Sequence, residues 1–488
     1  MSGWPKPPRE GAVRSSRQNQ AGKELAASTG ASWISEWGNV WMKIIKNGLL
    51  AACGVAATFG ASQAYASGFA LRENSAVTAG EADAGAVSGV ADISTIYTNP
   101  AGMTYFDGLQ FENTATLVDP SGKLTNVRAT NSYGTPLTGD AGRDPTQAKV
   151  LPAGFMLWAP SPDWRLGMAI TVPFGLITSY SGESAIRYQS LLSEVEALDI
   201  NPAVAYRVND WLSLGGGITM EKVKIKLTNA LDLGGIVGSK LGPAFGQALS
   251  QSDDGRSDIY GTSWAFGYNF GVMLKPEPNT RIGVSYRSGL DQDVRGRENY
   301  TVPTPIQNLL NMTNQGQLLA NGSAGGELDL PGNVWVGLSH EFTDRFGMDV
   351  SYQWTNWSRF KQIQIQFDNP AQSTVTMTEN YRDTSFAAIG GHYKVNDDLT
   401  VRAGFAYDET PTVTQYRDFR LPDADRYWLS AGATYNITPS IQISGSYTHL
   451  FFSNSTVNHV NQLPIYDTVS TNTSTSADLV AVSLGFKF

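Results

Sequence analysis

Alternation with a period of two runs through most of this chain, and its outer face suits lipid rather than water. In Asp163–Gly175, Trp164, Leu166, Met168, Ile170 and Val172 alternate with Arg165, Gly167, Ala169 and Thr171. In Ser263–Leu274, Trp264, Phe266, Tyr268, Phe270, Val272 and Leu274 alternate with Ala265, Gly267, Asn269 and Gly271. Tyr427, Leu429, Ala431, Ala433, Tyr435 and Ile437 do the same against Ser430, Gly432, Thr434 and Asn436. Strand side chains point to opposite faces in turn, so each segment has one large apolar face and one small or polar face. A soluble sandwich alternates too, but carries Lys and Glu outward. Here charged residues are 16% of the chain, against about a quarter in soluble proteins. Aromatics reach 11%. These features predict an all-β transmembrane barrel with a polar lumen.

Fourteen such segments can be counted, at 108–118, 148–158, 163–174, 196–208, 211–228, 258–275, 279–294, 326–342, 344–368, 380–395, 398–409, 425–437, 440–453 and 477–488. Tight turns at Pro160–Pro162, Asn209-Asp210, Pro276–Pro278, Thr343, Asn396-Asp397 and Thr438-Pro439 alternate with long connections. The long ones fall near 119–147, 175–195, 229–257, 295–325, 369–379, 410–424 and 454–476. Short and long in strict turn are what one periplasmic and one extracellular rim require, with an even strand count. The final segment, DLVAVSLGFKF, puts Val480, Val482, Leu484, Phe486 and Phe488 on one face. An aromatic end of this kind resembles the mark read by the barrel assembly machinery of outer membranes. Closure removes the edges that lipid could not satisfy.

The chain before residue 108 divides in three. Residues 1–41 are polar and read as an over-extended start. Residues 42–66 read as a signal peptide: Lys43 and Lys46, then an apolar run, then Ala64-Tyr65-Ala66 as a small-x-small cleavage pattern. Leu50-Ala51-Ala52-Cys53 offers a lipoprotein-type alternative, but cleavage there would leave too short an apolar run. Cys53 is the single cysteine, so cleavage after Ala66 leaves neither a disulfide nor a cysteine metal site. Residues 67–107 are rich in Gly, Ala and Ser without a sustained period. Such a block cannot form its own core and is expected to plug the barrel at 108–488.

Ser67-Gly68-Phe69 and Asn99-Pro100-Ala101 in the plug, ELDLPGNVWVGLSHEF (327–342), YQWTNWSRF (352–360) and LPDADRYWLSAGATYNI (421–437) carry a resemblance. Together they resemble the FadL family of outer-membrane transporters for long-chain fatty acids and other hydrophobic compounds. The resemblance implies capture between extracellular loops, a pocket inside the barrel, rearrangement of the N-terminal hatch, and exit through the wall at a kinked third strand. It also implies basic residues on the inner wall for a carboxylate, and Gln364 stands where a Lys would be expected. Fatty acid, alkane and monoaromatic cargo remain open alternatives.

Each candidate site follows from local chemistry. In the third segment, Val172-Pro173-Phe174-Gly175 should break the ladder, because proline donates no amide and glycine in a strand marks a bend. In the hatch, Phe69 and the Asn99-Pro100-Ala101 turn are expected to act, the latter as the contact with the kinked strand. Helix-like spacing in two loops makes Leu241, Phe245, Leu309 and Leu310 a capture surface. In the fifth segment, simple alternation points Lys222, Lys224 and Lys226 outward near lipopolysaccharide phosphates. Val223, Ile225 and Leu227 then become the pocket wall; a bulge would exchange the two sets. The net charge of −9 without a basic stripe excludes nucleic acid. No cofactor is expected. The four histidines are too scattered in sequence to imply a metal site, and His340 and His449 lack a nucleophile motif. A lipid-modifying barrel enzyme and a structural or adhesin barrel are the alternatives to a transporter.

Overall fold

The computed structural model describes residues 68–131, 133–140, 144–312, 315–460 and 467–488, and only the backbone of Leu241. The segments expected at 1–41 and 42–66, Cys53, the cleavage position after Ala66, and Ser67 lie outside the described residues.

Among the described residues, fourteen antiparallel wall strands close on themselves. They are β1 (Leu109–Thr130), β2 (Lys149–Trp158), β3 (Trp164–Thr171 and Gly175–Ser179), β4 (Leu192–Arg207), β5 (Leu212–Asp232), β6 (Asp254–Glu277) and β7 (Thr280–Arg287 and Leu290–Thr301). Then follow β8 (Gly322–Leu330 and Asn333–Glu341), β9 (Phe346–Thr355 and Gln362–Phe367), β10 (Val375–Thr378 and Thr384–Lys394), β11 (Leu399–Asp408), β12 (Arg426–Thr438), β13 (Ile441–Phe452 and Ser455–Val460) and β14 (Thr468–Lys487). β14 pairs with β1 from Gln110↔Lys487 to Thr130↔Thr468. Phe488 finishes the seam, exchanging backbone hydrogen bonds with Leu109 at 2.9 and 3.3 Å and setting its ring edge-on to Phe111.

The alternation seen in the sequence is the wall. Trp164, Leu166, Met168 and Ile170 are exposed on β3 while Arg165 and Ala169 are buried. Phe266, at 71% exposure, belongs to an outward aromatic row with Trp264, Tyr268 and Phe270. The strands run further than expected into the long connections: β1 and β14 reach Thr130 and Thr468, and β5 and β6 reach Asp232 and Asp254. Those extensions are rich in Thr, Ser, Asn and Asp. Outside the membrane a hairpin needs only its ladder, so no apolar period marks it. Three short helices cap this end: α1 (Leu233–Leu241), α2 (Pro243–Leu249) and α3 (Thr304–Met312).

Residues 68–107 fill the lumen and are mostly buried. Their fit depends on wall glycines. A methyl on Gly283 would overlap the Val87 carbonyl, one on Gly404 the Glu81 backbone, and one on Gly215 the Ala101 amide. Gly80 of the hatch lies against Gly432 of β12 backbone to backbone. Wall hydroxyls satisfy hatch groups: Ser483 Oγ accepts from the Ala76 amide at 3.0 Å, and Ser88 and Ser339 share a 2.9 Å hydrogen bond. The inner face is small and polar because the plug must approach it closely and bond to it. Gly283→Val should therefore leave a folded barrel with a displaced hatch, at a cost of about 1–3 kcal/mol for overpacking. Liposome swelling should show faster entry of small polar solutes; unchanged permeability with unchanged heat stability would contradict this packing.

Candidate functional site

Two adjoining cavities lie between the extracellular helices and the hatch. The outer one, about 640 Å3, is lined by Leu231, Leu233, Ile236 and Val237 from the α1 side and by Leu310, Leu318 and Leu319 from the α3 side. Leu233, Val237, Ile306 and Leu310 form one buried cluster, so the two loops pack together and still leave a cleft. Of the expected capture residues, Leu310 lines the cleft and Leu309 packs beside it, whereas Phe245 is exposed on α2 outside the lining. Nothing is described of the Leu241 side chain.

The inner cavity, about 80 Å3, shares Leu227, Ile259, Ile365, Asp418 and Arg420 with the outer one. Its wall is apolar, from Leu176, Val195, Ile225, Val294, Leu328 and Ile363. Val223 is buried in the cluster behind it, while Lys224 faces outward against Glu196 at 3.1 Å. The fifth strand therefore keeps simple alternation, without the bulge that would have turned the lysines inward. Gln364 lines the cavity, and Arg420 is the basic side chain on it. Burial lowers the Arg420 guanidinium, opposed first by Asp418 and then by Glu379.

Phe69 forms the floor. Its ring lies 4.9 Å from Trp357, 5.6 Å from Phe360 and 5.8 Å from Phe174, all tilted or edge-on. Such pairs add about 0.5–1.5 kcal/mol each beyond area burial. The hatch holds Phe69 here through backbone pairing with β3. The Leu71 amide donates to the Pro173 carbonyl and the Gly175 amide to the Phe69 carbonyl, both at 2.8 Å. β3 is broken at residues 172–174, between its two halves. Its ladder with β2 runs only from Leu166↔Trp158 to Ile170↔Gly154, although β1 pairs with β2 up to Lys149. Above Thr171, residues 69–71 thus occupy the edge that β2 would otherwise fill. Val172, outward by parity, packs with the lumen cluster around Leu71. Gly175 is not among the residues of positive φ, so the break rests on Pro173 rather than on a glycine torsion.

A file of buried charges fixes the same hatch segment. The Gly68 amide donates to Asp423 Oδ2 at 2.9 Å, Arg426 lies 3.6 Å from Asp423 and 3.4 Å from Asp408, and Arg72 reaches Asp408 at 3.1 Å. Arg72 also stacks on Phe386. Sequence reasoning missed this file; its one trace is Asp423 and Arg426 inside the 421–437 motif. Asn99-Pro100-Ala101 sits elsewhere than expected. Asn99 Nδ2 donates to the carbonyls of Val87 and Val272, and its Oδ1 accepts from Ala101. Pro100 and Ala101 press on Gly215 and Gly271, so the turn seats the hatch on β5 and β6. The kinked strand is met instead by Ala70, opposite Phe174.

One histidine is drawn into a charged cluster that its position in the sequence did not foretell. His392 Nδ1 lies 3.6 Å from Glu81 and 3.5 Å from Asp349, and its Nε2 3.1 Å from Glu341. Arg402 faces Glu81 at 3.2 Å and Arg281 faces Glu341 at 3.2 Å. Three carboxylates meet two guanidiniums and a ring that can donate from both nitrogens, so the set closes on itself as a hatch-to-wall tie. His449 bonds to Asp478 at 2.7 Å and His340 to Thr280 at 2.8 Å.

The family described as "Outer membrane protein transport protein (OMPP1/FadL/TodX)" matches residues 57–488. The long-chain fatty acid transport protein of Salmonella typhi is 31% identical over 409 residues, covering 82% of this chain and 91% of that one. The 47 kDa outer membrane protein of Pasteurella multocida is 29% identical, covering 88% and 96%. Among solved structures, a Pseudomonas aeruginosa FadL homologue superposes with a TM-score of 0.80 at 25% identity, over 86% of this chain and 100% of the other. The Ralstonia pickettii toluene transporter TbuX shares the fold with a TM-score of 0.61 at 20% identity, over 85% and 99%. A closed fourteen-stranded barrel with a lumen hatch and this breadth of likeness place the chain in the OMPP1/FadL/TodX family of outer-membrane transport proteins.

Proposed function

We propose that this chain is a passive importer of hydrophobic small molecules, with long-chain fatty acids as its first cargo class, and that it performs no catalysis. The observation that carries this reading is the shared lining of the two cavities, in which Leu227, Ile259 and Ile365 lead from the loop helices down towards Phe69 beside Asp418 and Arg420. Cargo is captured in the outer cleft and slides into the inner cavity as its apolar surface leaves water, at about 25 cal/mol per Å2. The hatch segment then shifts, and cargo leaves sideways beside Pro173. A lateral route spares the apolar chain an exposure to periplasmic water. Surrounding lipid and lipopolysaccharide are the outer partners, the assembly machinery engages the chain through its Phe488 strand, and residues 42–66 are removed on export.

Fatty acid is favoured over neutral hydrocarbon by Arg420, set where both cavities meet and bonded to Ser193 Oγ at 3.0 Å. Arg420→Met should weaken binding of oleate about tenfold, the size of one charge-assisted hydrogen bond, and leave toluene binding unchanged. Equal loss for both, or for neither, would remove the carboxylate from this reading.

The exit route is tested at the broken strand. Pro173→Val restores an amide, so β3 can continue its ladder with β2. If that shifts the gap towards the closed form by about 1.4 kcal/mol, uptake falls about tenfold while binding to purified protein persists. Normal uptake with a continuous third strand would favour axial passage past the hatch. Maturation has its own check: the first residues of outer-membrane material should read Ser67-Gly68-Phe69, and a start elsewhere would overturn the cleavage position.

A further inference from the structure

The upper half of β3 is buried on both sides. Gly175, Leu176, Ile177 and Thr178 are all inaccessible, although alternate residues of a barrel strand should face outward. Leu176 lines the inner cavity, and Ile177 has the opposite parity, yet it is 6% exposed. Ile177 stands opposite Glu194 of β4, and Glu194 Oε1 forms an ion pair with Lys149 Nζ of β2 at 3.8 Å. The two side chains are 7% and 17% exposed. β2 and β4 are not neighbours in the sheet; β3 lies between them. Their charged side chains meet because β3 has moved inward above Thr171. Below this pair, residues 150–153 of β2 have no β3 ladder. Above it, the Ser179 amide donates to the Pro145 carbonyl at 2.8 Å and closes the top of the opening.

We propose that Lys149 and Glu194 form a strap across the outer mouth of this gap, and that their ion pair sets the girth of cargo able to leave. The inference rests on the importer reading and adds its specificity-determining residues. The strap draws the two rims together over the sunken strand, so the free opening is confined to the level of Val172–Phe174. Glu196 pairs with Lys224 at 3.1 Å on the next row, and Lys226 of β5 stands opposite Glu194 in the ladder, so the outer face of this corner is a patch of alternating charge. Slim, linear chains pass beneath the strap, while branched or ring-bearing chains meet it.

Lys149→Met, Glu194→Gln, both together, and the exchange Lys149→Glu with Glu194→Lys form the test. Uptake of oleate is compared with that of a fatty acid carrying a bulky dipyrromethene-boron dye on its chain. Each single variant should raise the bulky-to-slim ratio about fivefold, the scale of a partly shielded ion pair. The double variant should add nothing further, and the exchange should return the ratio to that of the parent. An unchanged ratio in correctly assembled single variants, or an exchange that behaves like the singles, overturns the strap. A second readout does not depend on transport. Introduced as the one cysteine after residue 66, Ile177→Cys should react slowly with a membrane-partitioning maleimide, and several-fold faster once Lys149→Met is added. Equal rates overturn the strap even if uptake is never detected; faster labelling with no uptake of either probe overturns the importer reading alone.

Discussion

A backbone amide inside a bilayer has no water to turn to, and that constraint governs this molecule. Every wall strand needs a partner on both edges, which only closure provides. The seam between β1 and β14, finished by Phe488, meets the demand around the ring. At β3 the demand is met in a different way. Pro173 cannot donate, the strand leaves β2, and a hatch segment supplies the missing neighbour. The upper half of β3 thus keeps a neighbour on both edges, while residues 150–153 of β2 are left without a β3 ladder.

The lumen obeys the converse rule. A plug inside a barrel has to be held tightly enough to seal, yet its buried charges need compensation. Glycines admit its backbone, and hydroxyls and paired ions satisfy its polar groups. Asp423, Arg426, Asp408 and Arg72 alternate in sign along the segment behind Phe69. Glu81 is held by His392 and Arg402 deeper down. Removing one member of such a set is costly, about 3–5 kcal/mol, because the partner is left charged and buried.

What the sequence disclosed follows the range of the interaction. The barrel, its strand number and its rims were legible because alternation and turn chemistry are local. The broken strand was legible at Pro173 for the same reason, and so were the helices over the mouth. Contacts across the lumen were not. Nothing near Asn99 says that it faces Val272 rather than Phe174, and Glu81, Asp349 and His392 come from three distant stretches. The strand extensions at Thr130 and Thr468 were missed because a solvated hairpin carries no apolar period. Nothing local sets Lys149 apart, because its reach to Glu194 exists only where the intervening strand has sunk.

The shared edge of β3 has a thermodynamic corollary. Its upper half has one free side and two possible occupants, residues 69–71 or the vacant edge of β2. Both cannot be there at once. Any influence that favours undocking of the plug therefore favours resealing of the wall by the same free energy, and the reverse holds equally. On the proposed route, plug and wall then act not as two gates in series but as a single two-way switch built on strand pairing.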